Sequence, residues 1–369
     1  MELERCTRCI MPDTRPGEWR QKIPKFNEDG ICQACLNHDA NNNVNWNARN
    51  LKLSNLCDDH RDISGKYDCL IPVSGGKDSH YLVYKIKSMG MHPLLVNISD
   101  PFTHTRAGED NLHNISKYFN CDLIQFRISE DVFRRSVKVG MEHYGEPLIF
   151  VEAAIYTVPI QIAINYGIKL MIHGENPGFE YGTDIYDSMT SINHIKRIFK
   201  TSGPTLWDQH GFRTNELNPV TPPQDWENKI YPIFMSYYDR WDGILHRDVA
   251  KRCGYRDLTH EWKREGNVED YDQIDTIGWI MDLWMKYPKF GFARATDILC
   301  RWIRDGLIDR ESALTIADST DPVLDQRVLD DFLDFTGYTD RELWNIIDHW
   351  YNRDLFENVN GMWTPKWSI

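Results

Sequence analysis

The sequence predicts an α/β fold: a parallel five-stranded sheet with helices on both faces, a small cysteine-stapled module before it and a helical region after it. Three observations carry this reading. From Tyr67 onward, short apolar runs alternate with stretches of helical periodicity, the pattern of right-handed βαβ units. Two CxxC pairs, Cys6/Cys9 and Cys32/Cys35, fall near the N-terminus. Beyond Tyr237 the apolar positions recur at helical spacing only. The expected organisation is a module over 1–40, a polar linker over 41–64, a sheet domain over 65–236 with an insertion at 177–229, and a helical substrate-binding domain over 237–369.

Each element has its own signal. "YDCLIPV" (67–73) has the length and composition of a buried strand. Leu82, Val83, Ile86 and Met89 then recur at helical spacing, and Gly90 ends that helix. "HPLLVNI" (92–98) is the second strand, Leu112, Ile115 and Phe119 mark a helix, and "CDLIQF" (121–126) is the third strand. A helix through Ile155, Ile160 and Ile164, closed by Gly167, leads to "IKLMIH" (168–173), and "YPIFM" (231–235) is the fifth strand. The stretch 177–229 is polar without a sustained period, as expected of a lid or substrate loop. Thr339 and Glu342 form a capping box ahead of Leu343, Ile346, Ile347 and Trp350.

Bulk properties narrow the function classes. A net charge of −13 argues against nucleic acid, whose binders present basic surfaces. No apolar run approaches the roughly 18 residues of a membrane span, so a cytoplasmic location without membrane attachment is expected. Five of the nine cysteines, Cys57, Cys69, Cys121, Cys253 and Cys300, stand alone, as buried thiols do in a reducing compartment. The two CxxC pairs supply four soft ligands suited to a closed, structural tetrahedral Zn²⁺ site; iron or disulfides are the alternatives.

The chemistry centres on "IPVSGGKDSH" (71–80). It is not a Walker A loop, because Ile71 stands where that motif needs glycine and Asp78 where it needs a hydroxyl. Val73 ends a strand, and Ser74-Gly75-Gly76-Lys77-Asp78-Ser79 turns directly into a helix. Glycines admit an anion to the backbone, and the helix N-terminus favours negative charge. Ser74 and Ser79 can donate to phosphate, Lys77 can neutralise it, and Asp78 can hold Mg²⁺. The competing reading is a glycine-rich surface hairpin.

This hexapeptide resembles the PP-loop of the ATP pyrophosphatases. The resemblance implies an adenine nucleotide alpha-hydrolase-like sheet, ATP at the C-terminal strand ends, and cleavage between the α and β phosphates. It also implies adenine near Asn97 in "VNISD", and a second loop, "HGENPGFE", that brings Gly174 to the nucleotide, with Glu175 holding Mg²⁺ or positioning the acceptor and Asn176 beside it; an ordinary acidic turn is the competing reading. His173 is the one histidine placed near the site. "FMSYYDRWDG" (234–243), "EWKREGNVEDYDQID" (261–275) and "KYPKFGFARATDILCRWIRDGLIDRESA" (286–313) resemble the N-acetyl sugar amidotransferase family of bacterial surface-polysaccharide and nonulosonic acid pathways. That resemblance implies adenylation of a sugar acetamido group, displacement of AMP by ammonia, and a separate glutaminase and cyclase-like pair supplying the ammonia. Lys289 and Arg294 are then candidates to clamp phosphate, with Asp297 orienting Arg294. Tyr237, Tyr238 and Trp241, just past the fifth strand, are candidates for sugar stacking or equally for core packing, and Glu261, Trp262 and Glu265 are further candidates. A tRNA thiolation enzyme and a non-catalytic nucleotide-binding scaffold are the competing functions.

Overall fold

The computed structural model describes residues 3–14, 26–62, 64–174, 177, 182 and 188–367. Five strands, β1 (Cys69–Pro72), β2 (Pro93–Ser99), β3 (Leu123–Arg127), β4 (Leu170–His173) and β5 (Tyr231–Phe234), form one parallel sheet in the order β3-β2-β1-β4-β5. All five lie where the apolar runs place them. Alternation sorts the side chains. Cys69, Ile71, Leu95 and Ile172 face one layer of core, whereas Leu70, Leu94, Val96 and Met171 face the other.

Among the described residues, twelve longer helices surround and extend the sheet. They are α1 (Gln33–Asn42), α2 (Trp46–His60), α3 (Lys77–Ser88), α4 (Arg106–Phe119), α5 (Glu130–Tyr144), α6 (Ile149–Tyr166) and α7 (Ile192–Ser202), then α8 (Gly243–Arg252), α9 (Arg294–Arg304), α10 (Arg310–Thr320), α11 (Gln326–Thr336) and α12 (Asp340–Trp350). Leu53 of α2, Leu82, Val83 and Ile86 of α3, Ile115 of α4 and Val249 of α8 cover the first face. Ile160 and Ala163 of α6 and Ile195 of α7 cover the second. Thr339 and Glu342 make the expected capping box on α12.

The region expected to be helical throughout ends in a two-stranded antiparallel sheet of Phe356–Val359 and Met362–Pro365, and three expectations about the preceding parts also change. The polar segment expected as a linker is helical: Asn45 caps α2 by accepting from the Ala48 N–H at 3.0 Å, and Leu53 and Cys57 are buried against the sheet domain. The insertion contains α7, whose Ile192, Ile195 and Phe199 pack on the second face of the sheet. Contrary to the expectation about apolar runs, α6 is long and apolar enough to cross a membrane by length and composition. Its apolar sides lie between the sheet and the core that includes Phe133, Trp207 and Met281.

The N-terminal module docks on the C-terminal region. Cys6, Cys9, Ile10 and Cys35 share a core with Phe292, Leu299, Cys300, Ala313 and Ala317 of that region. Arg310 ties the two by donating to the carbonyls of Cys9 at 3.0 Å and Cys6 at 3.3 Å.

Candidate active site

The loop after β1 is shaped before any ligand arrives. The Val73 N–H still donates to the Val96 carbonyl at 2.8 Å. The chain then turns through Gly75 at φ +92°, where a Cβ would lie 3.0 Å from the Leu112 nitrogen, so only glycine suits both the angle and the space. Ser79 Oγ accepts from the Ser74 N–H at 3.0 Å, and Ser74 Oγ accepts from the Gly76 N–H at 3.1 Å. Gly76 is the N-cap of α3 and has no side chain to offer. The first N–H groups of α3 therefore have no capping side chain from that position, the arrangement that binds anions.

Lys77 and Asp78 open that helix. Lys77 Nζ donates to Asp78 Oδ2 at 2.7 Å, and His246 Nδ1 donates to Asp78 Oδ1 at 2.7 Å. Burial works against the charge on Asp78, but Lys77 and His246 outweigh it and hold the carboxyl well below the usual range. Burial likewise works against the Lys77 ammonium, and Asp78 reverses the balance and raises it. Both groups stay ionised at neutral pH. His246 is fully buried on α8, one turn beyond Asp242, which caps that helix through the N–H groups of Ile244 and Leu245 at 3.0 Å each.

A cleft of about 400 Å³ opens at the C-terminal ends of the strands, where open α/β sheets bind ligands. Asn97 Nδ2 donates to the Val73 carbonyl at 2.9 Å, and its buried Oδ1 has no partner among the described residues. His173 is 8% exposed, with Nε2 buried and likewise unpartnered among them, and burial beside His194 pushes its pKa down to about 3. The opposite wall is the segment 271–276 together with Arg294. Arg294 grips Asp272 with two bonds, at 2.9 and 2.7 Å. Burial opposes the Asp272 charge, and Arg294 outweighs burial to keep the carboxyl low. Asp275 goes the other way, raised to about 7 by burial and by the nearby Asp100 and Asp272. Burial likewise raises Asp100 to about 6.

A second cavity of about 120 Å³ shares Lys77, Asp78 and Tyr271 with the first. Its other walls include His38, Asn41 and Asn42 from α1, Trp241, and Arg301 and Trp302 from α9. All three parts of the chain thus meet at Lys77 and Asp78.

The structure brings most of the expected phosphate-site residues together. Val73, Ser74, Gly76, Lys77, Asp78, Ser79, Asn97 and Arg294 line the larger cleft, and Trp241 lines the smaller cavity. Gly75 shapes the loop from behind, against Leu112. Gly174 follows β4, and a Cβ there would lie 2.8 Å from the Trp241 ring. Glu175 and Asn176 lie outside the described residues.

Several candidates sit elsewhere. Tyr238 is buried in the core with Leu53 and Val83, and Tyr237 lies beneath the Arg49 guanidinium at 4.0 Å; neither lines either cavity. Lys289 lies outside both cavities with Nζ 3.2 Å from Glu146. Asp297 is buried against Lys286 and reaches Arg294 only at 3.9 Å, so Asp272 orients Arg294 instead. Glu261 caps α4, accepting from the N–H groups of Arg106 and Ala107 at 2.8 Å each. Trp262 belongs to the large apolar core, and Glu265 lines neither cavity. Sequence reasoning missed His246 and Asp272. Asp272 falls inside the segment 261–275 but has no spacing that marks it, and nothing in the sequence points from His246 to Asp78, 168 residues away.

The sulfurs of Cys6, Cys9, Cys32 and Cys35 are buried and all lie within 4.8 Å of one another. Tetrahedral Zn–S bonds of about 2.3 Å put sulfurs about 3.8 Å apart, and Cys9 and Cys32 are already at 3.6 Å. The donor set fits a closed Zn²⁺ site. The other five cysteines are buried, and among the described residues no cysteine lines either cavity.

The sheet order and the helix that opens directly after its central strand define the class: a doubly wound parallel α/β fold, joined to a helical region. Residues 265–368 match the family model described as LPS biosynthesis protein WbpG-like, C-terminal domain, so this part of the chain is similar to that domain. No curated protein matches the sequence. Among solved structures, NMN synthetase from Francisella tularensis is similar at 12% identity and a TM-score of 0.29, covering 60% of this chain and 100% of that one. NAD+ synthetase from Burkholderia pseudomallei is similar at 12% identity and a TM-score of 0.26, covering 59% of this chain and 93% of that one.

Proposed function

We propose that this chain is an ATP-dependent, AMP-forming amidotransferase that converts a sugar acetamido group into an acetamidino group. The observation that supports this most is the position of Lys77 and Asp78, on the first turn after a glycine-shaped loop and on the wall shared by two cavities. The larger cavity takes the nucleotide and the smaller the acceptor. The similarity of residues 265–368 to an LPS biosynthesis family supports a surface-polysaccharide sugar as that acceptor.

An amide oxygen is a poor leaving group, and adenylation corrects this. The acetamido oxygen attacks the α-phosphorus, the α–β phosphoanhydride bond breaks, and pyrophosphate leaves. Ammonia adds to the imidate carbon, the C–O bond breaks, and AMP leaves with the former acetamido oxygen. The chain's part is positioning and charge. Lys77 neutralises phosphate oxygens, the first N–H groups of α3 donate to them, and Arg294, held by Asp272, faces the same cleft. Each oxygen of Asp78 has one protein partner and retains a lone pair, so the carboxylate fits Mg²⁺. When bound, Mg²⁺ supplies charge neutralisation at the phosphates. The ammonia comes from a separate glutaminase and cyclase-like pair; equal use of glutamine and ammonium by the purified chain would remove that partner from the scheme.

The test is a pyrophosphate-release screen with ATP, ammonium and nucleotide-linked diacetamido sugars or free nonulosonic acids. AMP and pyrophosphate are expected in equal amounts, and Lys77→Ala and Asp78→Ala are expected to abolish release while the protein stays folded. Formation of ADP, or turnover retained in either variant, overturns the reading.

A further inference from the structure

We propose that His246 is a positioning residue that fixes the Asp78 carboxylate, leaving Oδ2 as the oxygen that meets a cation when Lys77 turns to phosphate. This rests on the reading of Asp78 as a metal-binding carboxylate. The two partners of Asp78 differ in freedom. Lys77 is its chain neighbour and holds Oδ2 through a long, flexible side chain. His246 holds Oδ1 from another helix and cannot turn: its ring stacks on Tyr81 at 3.9 Å and meets the edge of Trp241 at 4.4 Å. Tyr81 is fixed in turn, because its hydroxyl donates to Asp239 at 2.7 Å and Asp239 is paired with Lys85 at 3.0 Å. The Asp242 N–H faces His246 Nε2 at 3.5 Å, which leaves Nδ1 as the protonated nitrogen. Phosphate can therefore compete for Lys77 without loosening Oδ1.

His246→Asn retains a donor near the Nδ1 position, and His246→Leu fills the space without one. Two readouts apply: pyrophosphate release against free Mg²⁺ at saturating ATP, and the ATP Kd in Mg²⁺ compared with EDTA. For His246→Leu, the Mg²⁺ concentration giving half-maximal rate is expected to rise on the order of tenfold. The gain in ATP affinity from Mg²⁺ is expected to shrink, with the Kd in EDTA within about twofold of wild type. His246→Asn should stay within about threefold of wild type in both. An unchanged Mg²⁺ response in folded His246→Leu overturns the proposal, as does an equal loss of ATP affinity in EDTA and Mg²⁺. So does an Asn variant that behaves like Leu, or a wild type whose ATP affinity ignores Mg²⁺. If wild type binds MgATP but releases no pyrophosphate, the functional reading fails while the affinity measurement still decides the role of His246.

Discussion

Gly75 and Gly76 are neighbours with different physical jobs. Gly75 sits at φ +92° with backbone atoms of Leu112 at 3.0 and 3.1 Å from where a Cβ would stand. Gly75→Ala should cost about 1–3 kcal/mol through backbone strain and also weaken ATP binding, because the loop must shift. Gly76 has φ −67°, and its added methyl would meet only Ser74 Oγ at 3.2 Å. Gly76→Ala should cost under about 1 kcal/mol in stability while still crowding the cleft. Urea midpoints and ATP titrations on both variants check this, and equal stability losses would contradict the assignment of strain to Gly75. Both glycines are legible from the motif. Which of them carries the strain is not, because that depends on Leu112, a residue brought in by α4.

At the scale of elements, α3 links the loop to pH. His80 is fully buried; its Nδ1 donates to the Gly76 carbonyl at 3.1 Å, and Nε2 faces Asn114 Nδ2 at 3.2 Å. Burial pushes its pKa down to about 4. A histidine lowered in the fold binds fewer protons there than in the unfolded chain, so its stabilisation is present above about pH 6.5 and is lost as pH falls toward 4. The contribution lost between about pH 7.5 and about pH 5 is about 2 kcal/mol. Urea unfolding at the two pH values should therefore show a smaller acid loss in His80→Gln than in wild type; identical losses would exclude His80 as a source. The strands and α3, α4 and α6 are legible because each carries a run or a period of its own. The helix α2 is not, since only Leu53 and Cys57 of its 15 residues are fully buried and the rest reads as polar linker. The helix α7 is hidden for a related reason: one apolar stripe inside a long polar stretch becomes meaningful only once a sheet face is there to receive it.

At the scale of the molecule, the cysteine module is anchored to the C-terminal region. The four buried thiols crowd within 4.8 Å of one another, too close for all of them to ionise without a cation between them. A metal that takes all four as thiolates removes that conflict. Stripping metal with a chelator should therefore cost hydrogen-exchange protection in residues 26–42 and in α9 and α10, which share the module's core, and leave β1 to β5 protected. Loss confined to the module, or spread evenly over the sheet, would contradict this coupling. The same docking makes α1 a wall of the smaller cavity.

The sequence by itself determined the strands, the glycine loop with its lysine and aspartate, and the four-cysteine set, because each is written in neighbouring residues whose spacing has a local physical meaning. Only the tertiary structure decided that His246 holds Asp78, that Asp272 rather than Asp297 orients Arg294, and that Tyr237 and Tyr238 serve the core. Those contacts join residues far apart in the chain, and they exist only because packing of the helices against the sheet brings their side chains within bonding distance.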